Sequence, residues 1–201
     1  MIGNTSRVGC LMVAFLLVVS TLGLWETTYA EDSFAYQKKI AVDPTGQKEG
    51  YSAVLYDNTN GLPTSEANAI AETEEGFLWI GSYSGLIRYD GNTFERMDST
   101  NGIASIVSLY VDSKNRLWIG TNDNGVAVME NGQIQMYHKS EELKSASIRA
   151  ITEDRSGNIY LATTSGIAMI DSKMELHSLS DSRIDNSYVS DLRTGKGGII
   201  Y

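Results

Sequence analysis

One short pattern returns along this chain at a nearly fixed interval: a turn, an apolar strand carrying an aromatic residue, and a small residue closing it. Gly76-Phe77-Leu78-Trp79-Ile80-Gly81-Ser82 is followed by Lys114-Asn115-Arg116-Leu117-Trp118-Ile119-Gly120-Thr121 and by Ser156-Gly157-Asn158-Ile159-Tyr160-Leu161-Ala162-Thr163. The last residues, Gly197-Gly198-Ile199-Ile200-Tyr201, open a fourth copy. The aromatic anchors Trp79, Trp118, Tyr160 and Tyr201 stand 39, 42 and 41 residues apart. After each of the first three comes a glycine-led apolar run, at Gly85, Gly125 and Gly166. A period of about 40 residues built from short strands and glycine turns specifies the blades of a β-propeller.

Period-2 alternation between turn residues predicts the strands of each blade. The first blade takes Ala69–Glu72, Leu78–Gly81, Leu86–Tyr89 and Thr93–Met97. The second takes Ile106–Val111, Leu117–Gly120, Val126–Met129 and Gln133–Tyr137. The third takes Ile148–Glu153, Ile159–Ala162, Ile167–Ile170 and Met174–Ser178, and Val189–Leu192 with Ile199–Tyr201 begin a fourth. The expected fold is therefore all-β, a partial propeller of four-stranded antiparallel blades over residues 51–201, with blades at about 68–105, 106–147 and 148–188. Asp90-Gly91 and Asn131-Gly132 suit tight hairpins, since both residue types tolerate positive φ. Glu141–Lys144 reads as an exposed loop, with a single helical turn as the alternative. Asp57-Asn58-Thr59-Asn60-Gly61 matches Asp98-Ser99-Thr100-Asn101-Gly102 at an offset of 41. Ser52–Tyr56 is thus expected to be an outer blade strand, one that closes the last blade of a ring and hides its edges.

Upstream of the repeats, Arg7 precedes an apolar run from Val8 to Trp25, and Thr28-Tyr29-Ala30 offers small residues before a cleavage point. Residues 1–30 are read as an apolar helix serving as a secretory signal peptide; an uncleaved membrane anchor and a buried core helix are the alternatives. Either of the first two exports the rest of the chain to the periplasmic or extracellular face. Residues 31–50 are a polar connector. Cys10, the single cysteine, lies in the leader, so the repeats can form no internal disulfide and no thiolate metal site. The net charge of −9 is unchanged by removing residues 1–30, which hold one base and one acid. An acidic chain repels phosphate backbones, which disfavours a nucleic-acid partner.

The candidate chemistry is sparse. Gly81-Ser82-Tyr83-Ser84-Gly85 is similar to a hydrolase nucleophile elbow, but it centres on Tyr83 and joins two strands rather than a strand and a helix. Gly195-Lys196-Gly197-Gly198 lacks phosphate-loop spacing and leads into a strand. His138 and His177 occupy non-equivalent positions in their repeats and read as surface residues. Asp57, Asp98, Asp112, Asp154 and Asp171 lie beside turns, where Asp accepts backbone N–H bonds. The run Asp57–Gly61 comes nearest to a calcium loop and lacks its later acidic ligand. Trp79 and Trp118 recur with the repeat and are assigned to packing between blades; Tyr83, which does not recur, is the better candidate for a ligand surface. No catalytic, cofactor or metal residue is expected, and no ligand-contacting set is defined.

The core Gly-x-Leu-Trp-Ile-Gly-Thr, with the following Gly-Leu-x-x-Tyr-Asp and the approach Asn60-Gly61-Leu62-Pro63, resembles the two-component regulator propeller repeat over residues 51–201. The third blade departs from it, with Tyr160 for Trp, Ala162 for Gly and Ser172-Lys173 for the final glycine. The resemblance implies the extracytoplasmic sensor of a membrane signalling protein, binding an unknown small molecule or oligosaccharide and acting as a homodimer. It implies a histidine kinase or a diguanylate cyclase as output in a longer parent chain, with no enzyme activity in this segment. A secreted propeller enzyme of lyase or glycosidase type and a carbohydrate-binding propeller are the rival readings.

Overall fold

Why the repeats fold into sheets is visible in their composition: each core run is rich in Ile, Val, Leu and aromatic residues, and each is bounded by Gly, Asn, Asp or Ser. A computed structural model of the chain describes residues 54–97 and 103–201. The expected leader and connector, Asp98 and the first part of the expected N-terminal strand lie outside the described residues.

Among the described residues, twelve strands form three separate four-stranded antiparallel sheets in simple meander order. The first blade is β1 (Ala69–Glu72), β2 (Leu78–Ser82), β3 (Gly85–Tyr89) and β4 (Phe94–Arg96). The second is β5 (Ile106–Val111), β6 (Leu117–Thr121), β7 (Val126–Glu130) and β8 (Gln133–Tyr137). The third is β9 (Ile148–Glu153), β10 (Ile159–Thr163), β11 (Gly166–Ile170) and β12 (Leu176–Leu179). Strand β5 lies against β1 on one side and β9 on the other, so the first strand of every blade is the innermost. One expected strand is displaced, β12 being Leu176–Leu179 rather than Met174–Ser178, and β4, Phe94–Arg96, is one residue shorter at each end than the expected Thr93–Met97. The other ten match to within one residue at an end.

Cores form between sheets. Trp79 of β2 packs with Ile106, Leu117 and Ile119 of the second blade. One repeat later, fully buried Trp118 packs with Ile148, Ile151, Ile159 and Leu161 of the third. Both Trp residues are the wedges the sequence assigns them to be. Close approach of blades also explains the glycine after each Trp-Ile. A Cβ on Gly81 would lie 2.4 Å from Ile106 Cγ2, and one on Gly120 would lie 3.0 Å from Ile148 Cβ of the next blade, as well as 2.1 Å from Ser108 Oγ on the paired strand of its own. In the third blade Ala162 fits, because the segment beyond it presents Val189 and Leu192 where the earlier interfaces present isoleucine.

Three expectations need correction. Val54–Tyr56 are not in a strand. A strand at that place needs the inner strands of a closing blade as its ladder, and the three sheets here are each complete with four. The fourth repeat forms no strand at Val189–Leu192; instead Thr194 bridges Ile200, with Arg193 and Tyr201 exchanging N–H···O bonds of 3.1 and 2.9 Å. Leu192 is buried against Ala150 and Ala162, so that segment serves as packing rather than as ladder. Finally, only Asn131-Gly132 makes the tight hairpin, with φ of 50° and 74°. Asp90-Gly91 begins a longer loop in which Asp90 Oδ1 accepts N–H bonds from Asn92 and Thr93 at 2.8 and 2.7 Å. The stretch Glu141–Lys144 is a loop without helix, yet Leu143 within it is fully buried in the core between the second and third blades.

Candidate functional site

Each blade presents two kinds of connection, at opposite ends of its strands. At one end are the turns joining the first strand to the second. Here Asp112 Oδ1 accepts the N–H groups of Lys114 and Arg116 at 3.0 and 2.9 Å, while Oδ2 takes Arg116 Nε at 2.6 Å and the Trp118 indole N–H at 2.8 Å. Asp154 repeats this with Ser156, Asn158 and the Tyr160 hydroxyl, the last at 3.1 Å. In the first blade Thr73 Oγ1 accepts the Trp79 indole N–H at 3.3 Å. Burial opposes the Asp112 charge, but the bonds from Trp118 and Arg116 and the guanidinium charge overcome it and hold the carboxyl below its ordinary value.

The same device accounts for His177. Asp171 Oδ1 accepts N–H bonds from Lys173 and Glu175, both 2.9 Å, and Oδ2 meets His177 Nε2 at 3.0 Å. Asp171, Glu175 and His177 place ligand-type atoms within 4.8 Å of one another. The carboxylate is nonetheless committed to its turn, as Asp112 and Asp154 are, which makes this cluster a latch. His138 is exposed and apart from it. The Asp57 loop is likewise closed on itself: Asp57 Oδ1 accepts the Thr59 N–H and hydroxyl at 2.8 and 2.6 Å, and the Asp57 N–H donates to Asn60 Oδ1 at 2.7 Å.

At the other end lie the turns from second to third strand, beside the links from blade to blade. Ser82, Thr121 and Thr163 are buried, and their hydroxyls donate to the carbonyls of Gly85, Gly125 and Gly166 at 2.9, 2.8 and 2.8 Å. Ser82 thus fastens its turn. The links are tied to these turns: Gly125 N–H donates to Ala146 O and Gly166 N–H to Ser187 O, both at 2.8 Å. Ser105 N–H donates to Tyr83 O at 2.9 Å. The result is a loop surface held by backbone bonds, on which Tyr83 and Tyr188 stand 54% and 60% exposed.

One cluster on that surface has no counterpart among the sequence-based expectations. Arg149, second residue of β9, reaches Asn122 Oδ1 with Nη1 at 3.2 Å and lies over the Tyr188 ring at 5.9 Å. Ser147 donates to the same Asn122 oxygen at 3.3 Å. These residues come from one strand and three connections and share no repeat position, so no periodicity points to them. Tyr83, the ligand-surface candidate of the sequence, is on the same kind of loop but makes no side-chain contact with this group. Larger concavities of about 370 and 350 Å³ lie elsewhere. The first is bounded by Phe77, Trp79, Met97 and Met129, with Arg88 held by Glu95 and the Phe77 ring. The second sits at the next blade junction around Val128 and Met174. A gap that returns at each junction reflects blades splaying outward rather than a particular ligand.

Comparison with known proteins agrees with this architecture. The two-component regulator propeller model matches residues 61–84, 102–123 and 142–165, each segment running into a second-to-third-strand turn. The chain therefore carries three two-component regulator propeller repeats. The extracellular domain of a hybrid two-component system from B. thetaiotaomicron is 28% identical with a TM-score of 0.67, over 77% of this chain and 23% of that one. The extracellular domain of a one-component system from the same organism is 23% identical, with a TM-score of 0.60, over 73% of this chain and 21% of that one. Virginiamycin B lyase from Staphylococcus aureus is 17% identical with a TM-score of 0.56, over 67% and 47% of the two chains. The latter two likenesses show the fold alone. No curated protein matches the sequence significantly. This chain spans less than a quarter of the two signalling proteins' extracellular domains.

Proposed function

We propose that this chain is part of the extracytoplasmic ligand-sensing propeller of a longer membrane signalling protein, and that it binds rather than transforms its ligand. The observation that carries this reading is the 28% identity, across 77% of the chain, to the extracellular domain of a hybrid two-component system. Export fits the apolar run Val8–Trp25 and the small residues ending at Ala30. In the proposed mechanism a ligand on the loop surface stabilises one arrangement of a homodimer, and the membrane segment passes that bias to a histidine kinase or diguanylate cyclase. A rigid loop face suits this role, since a ligand can shift a pairing equilibrium only by its differential affinity for the two arrangements.

Reporter fusions after Gly50 test the location: an exported reporter should be active there and a cytoplasmic one silent. Deleting residues 51–201 from the parent protein should leave its output fixed and unresponsive. Active cytoplasmic fusions, or a response that survives the deletion, would overturn the proposal.

A further inference from the structure

Arg149 stands at an irregularity in its strand. In the pairing of β9 with β10, Ile148 faces Thr163 and Ala150 faces Ala162, so Arg149 is the extra residue of a β-bulge. The second blade has the same bulge one period earlier, between Ile106 facing Thr121 and Ser108 facing Gly120, and there the extra residue is Val107. A bulge redirects the side chain of its extra residue away from the regular alternation. The fold thus supplies the same redirected position twice on innermost strands, and only the third blade fills it with a charge.

That charge is not used for ion pairing. Among the seven described arginines, Arg88, Arg116, Arg183 and Arg193 are salt-bridged to carboxylates, while Arg96, which donates to Ser84 O, and Arg155 have no ion pair. Arg149 has no carboxylate partner among the described residues; its guanidinium meets Asn122 Oδ1 and the Tyr188 ring. The Asn122 bond fixes one end of the guanidinium and leaves N–H groups of the planar fork unbonded. Tyr188 is 60% exposed, so ring surface remains open beside the cation. Asn122 is itself placed by its backbone N–H bond to Ser105 O at 2.9 Å and by the Ser147 hydroxyl.

We infer that Arg149, Tyr188 and Asn122 form a recognition site for a small ligand bearing a carboxylate on a ring. The guanidinium fork matches a carboxylate in two parallel hydrogen bonds, which a lysine cannot reproduce. The exposed tyrosine ring offers a flat surface for the ligand's own ring, saccharide or aromatic. Asn122 holds the arginine in place, so less side-chain freedom is lost on binding. This inference rests on the sensor reading above, because it names the ligand class of the proposed loop surface.

Titration calorimetry on the full-length protein with glucuronate, galacturonate, benzoate and neutral galactose tests it. At least one of the acids should bind with galactose at least about tenfold weaker, and uronates against benzoate separate a saccharide from an aromatic source. Arg149→Lys should lose about tenfold or more in affinity despite keeping the charge, and Arg149→Met should lose binding. Unchanged thermal unfolding of both variants separates this effect from misfolding. Equal binding of acids and galactose, or acid binding that survives Arg149→Met, overturns the acid preference while leaving a ligand-binding propeller. Failure of every acid to bind overturns the inference as well, and the deletion experiment on signalling output still decides the sensor reading separately.

Discussion

Asp112 accepts the indole N–H of Trp118 at 2.8 Å across six residues of chain, while holding the Arg116 side chain at 2.6 Å with the same oxygen. The pair sits inside the junction of the second and third blades, where Arg116 also donates to the Met174 sulfur at 2.8 Å. One carboxylate therefore closes a turn, orients the wedge and neutralises a buried guanidinium.

Asp112→Ala should be among the most damaging single changes in the chain. It leaves a buried Arg116 without its counter-charge, which costs about 3–5 kcal/mol. Denaturant unfolding of the full-length protein should show that loss in the propeller's transition. Arg193→Ala, which removes an exposed ion pair with Asp191, should stay within about 1 kcal/mol of wild type. Equal effects from the two changes would mean that the latch contributes nothing.

Acid should attack the same place. The Asp112 carboxyl is held below its ordinary value in the fold, so its contribution is present above the unfolded carboxylate range, about pH 4, and is lost as pH falls through the lowered value. Unfolding measured between neutral pH and about pH 3 should show wild type losing stability on the acid side. Asp112→Asn, already without the titrating group, should show a shallower acid dependence. Parallel curves would contradict the assignment.

Gly120→Ala should cost about 1–3 kcal/mol, because the new methyl would meet Ser108 on the paired strand of its own blade and Ile148 across the blade junction. The reverse change at the equivalent place, Ala162→Gly, should cost only about 1 kcal/mol, mainly in backbone entropy. Thermal unfolding of both variants checks the pair. A neutral Gly120→Ala would mean the blades lie farther apart than described.

Repetition decides which features are legible in the sequence. Strands β1 to β12 share a pattern that recurs, so each copy supports the others, and the Trp wedges are fixed by their place in it. The Asp-to-aromatic latch is also present in the sequence, six residues before Trp118 and Tyr160, but turn propensity alone does not reveal that Oδ2 reaches the ring. Burial of Leu143 is hidden by the polar residues around it. Arg149, Asn122 and Tyr188 are illegible for a different reason: they are up to 66 residues apart in the numbering and meet only because a bulge and two loops share one end of the blades. Features that distinguish one repeat from the next are invisible to periodicity, and ligand recognition belongs to that class.

The most direct measurement is the signalling output of the full-length parent in its own cells, under conditions where wild type responds, for substitutions at the two ends of the blades. Tyr83→Ala, Asn122→Ala and Tyr188→Ala lie on the loop surface; Glu74→Ala and Ser156→Ala lie on the turns at the opposite end. The account predicts that at least one loop-surface change shifts the response with protein level unchanged, and that the turn-end changes leave it as in wild type. A response altered only by the turn-end changes, or by none of the five, would contradict it.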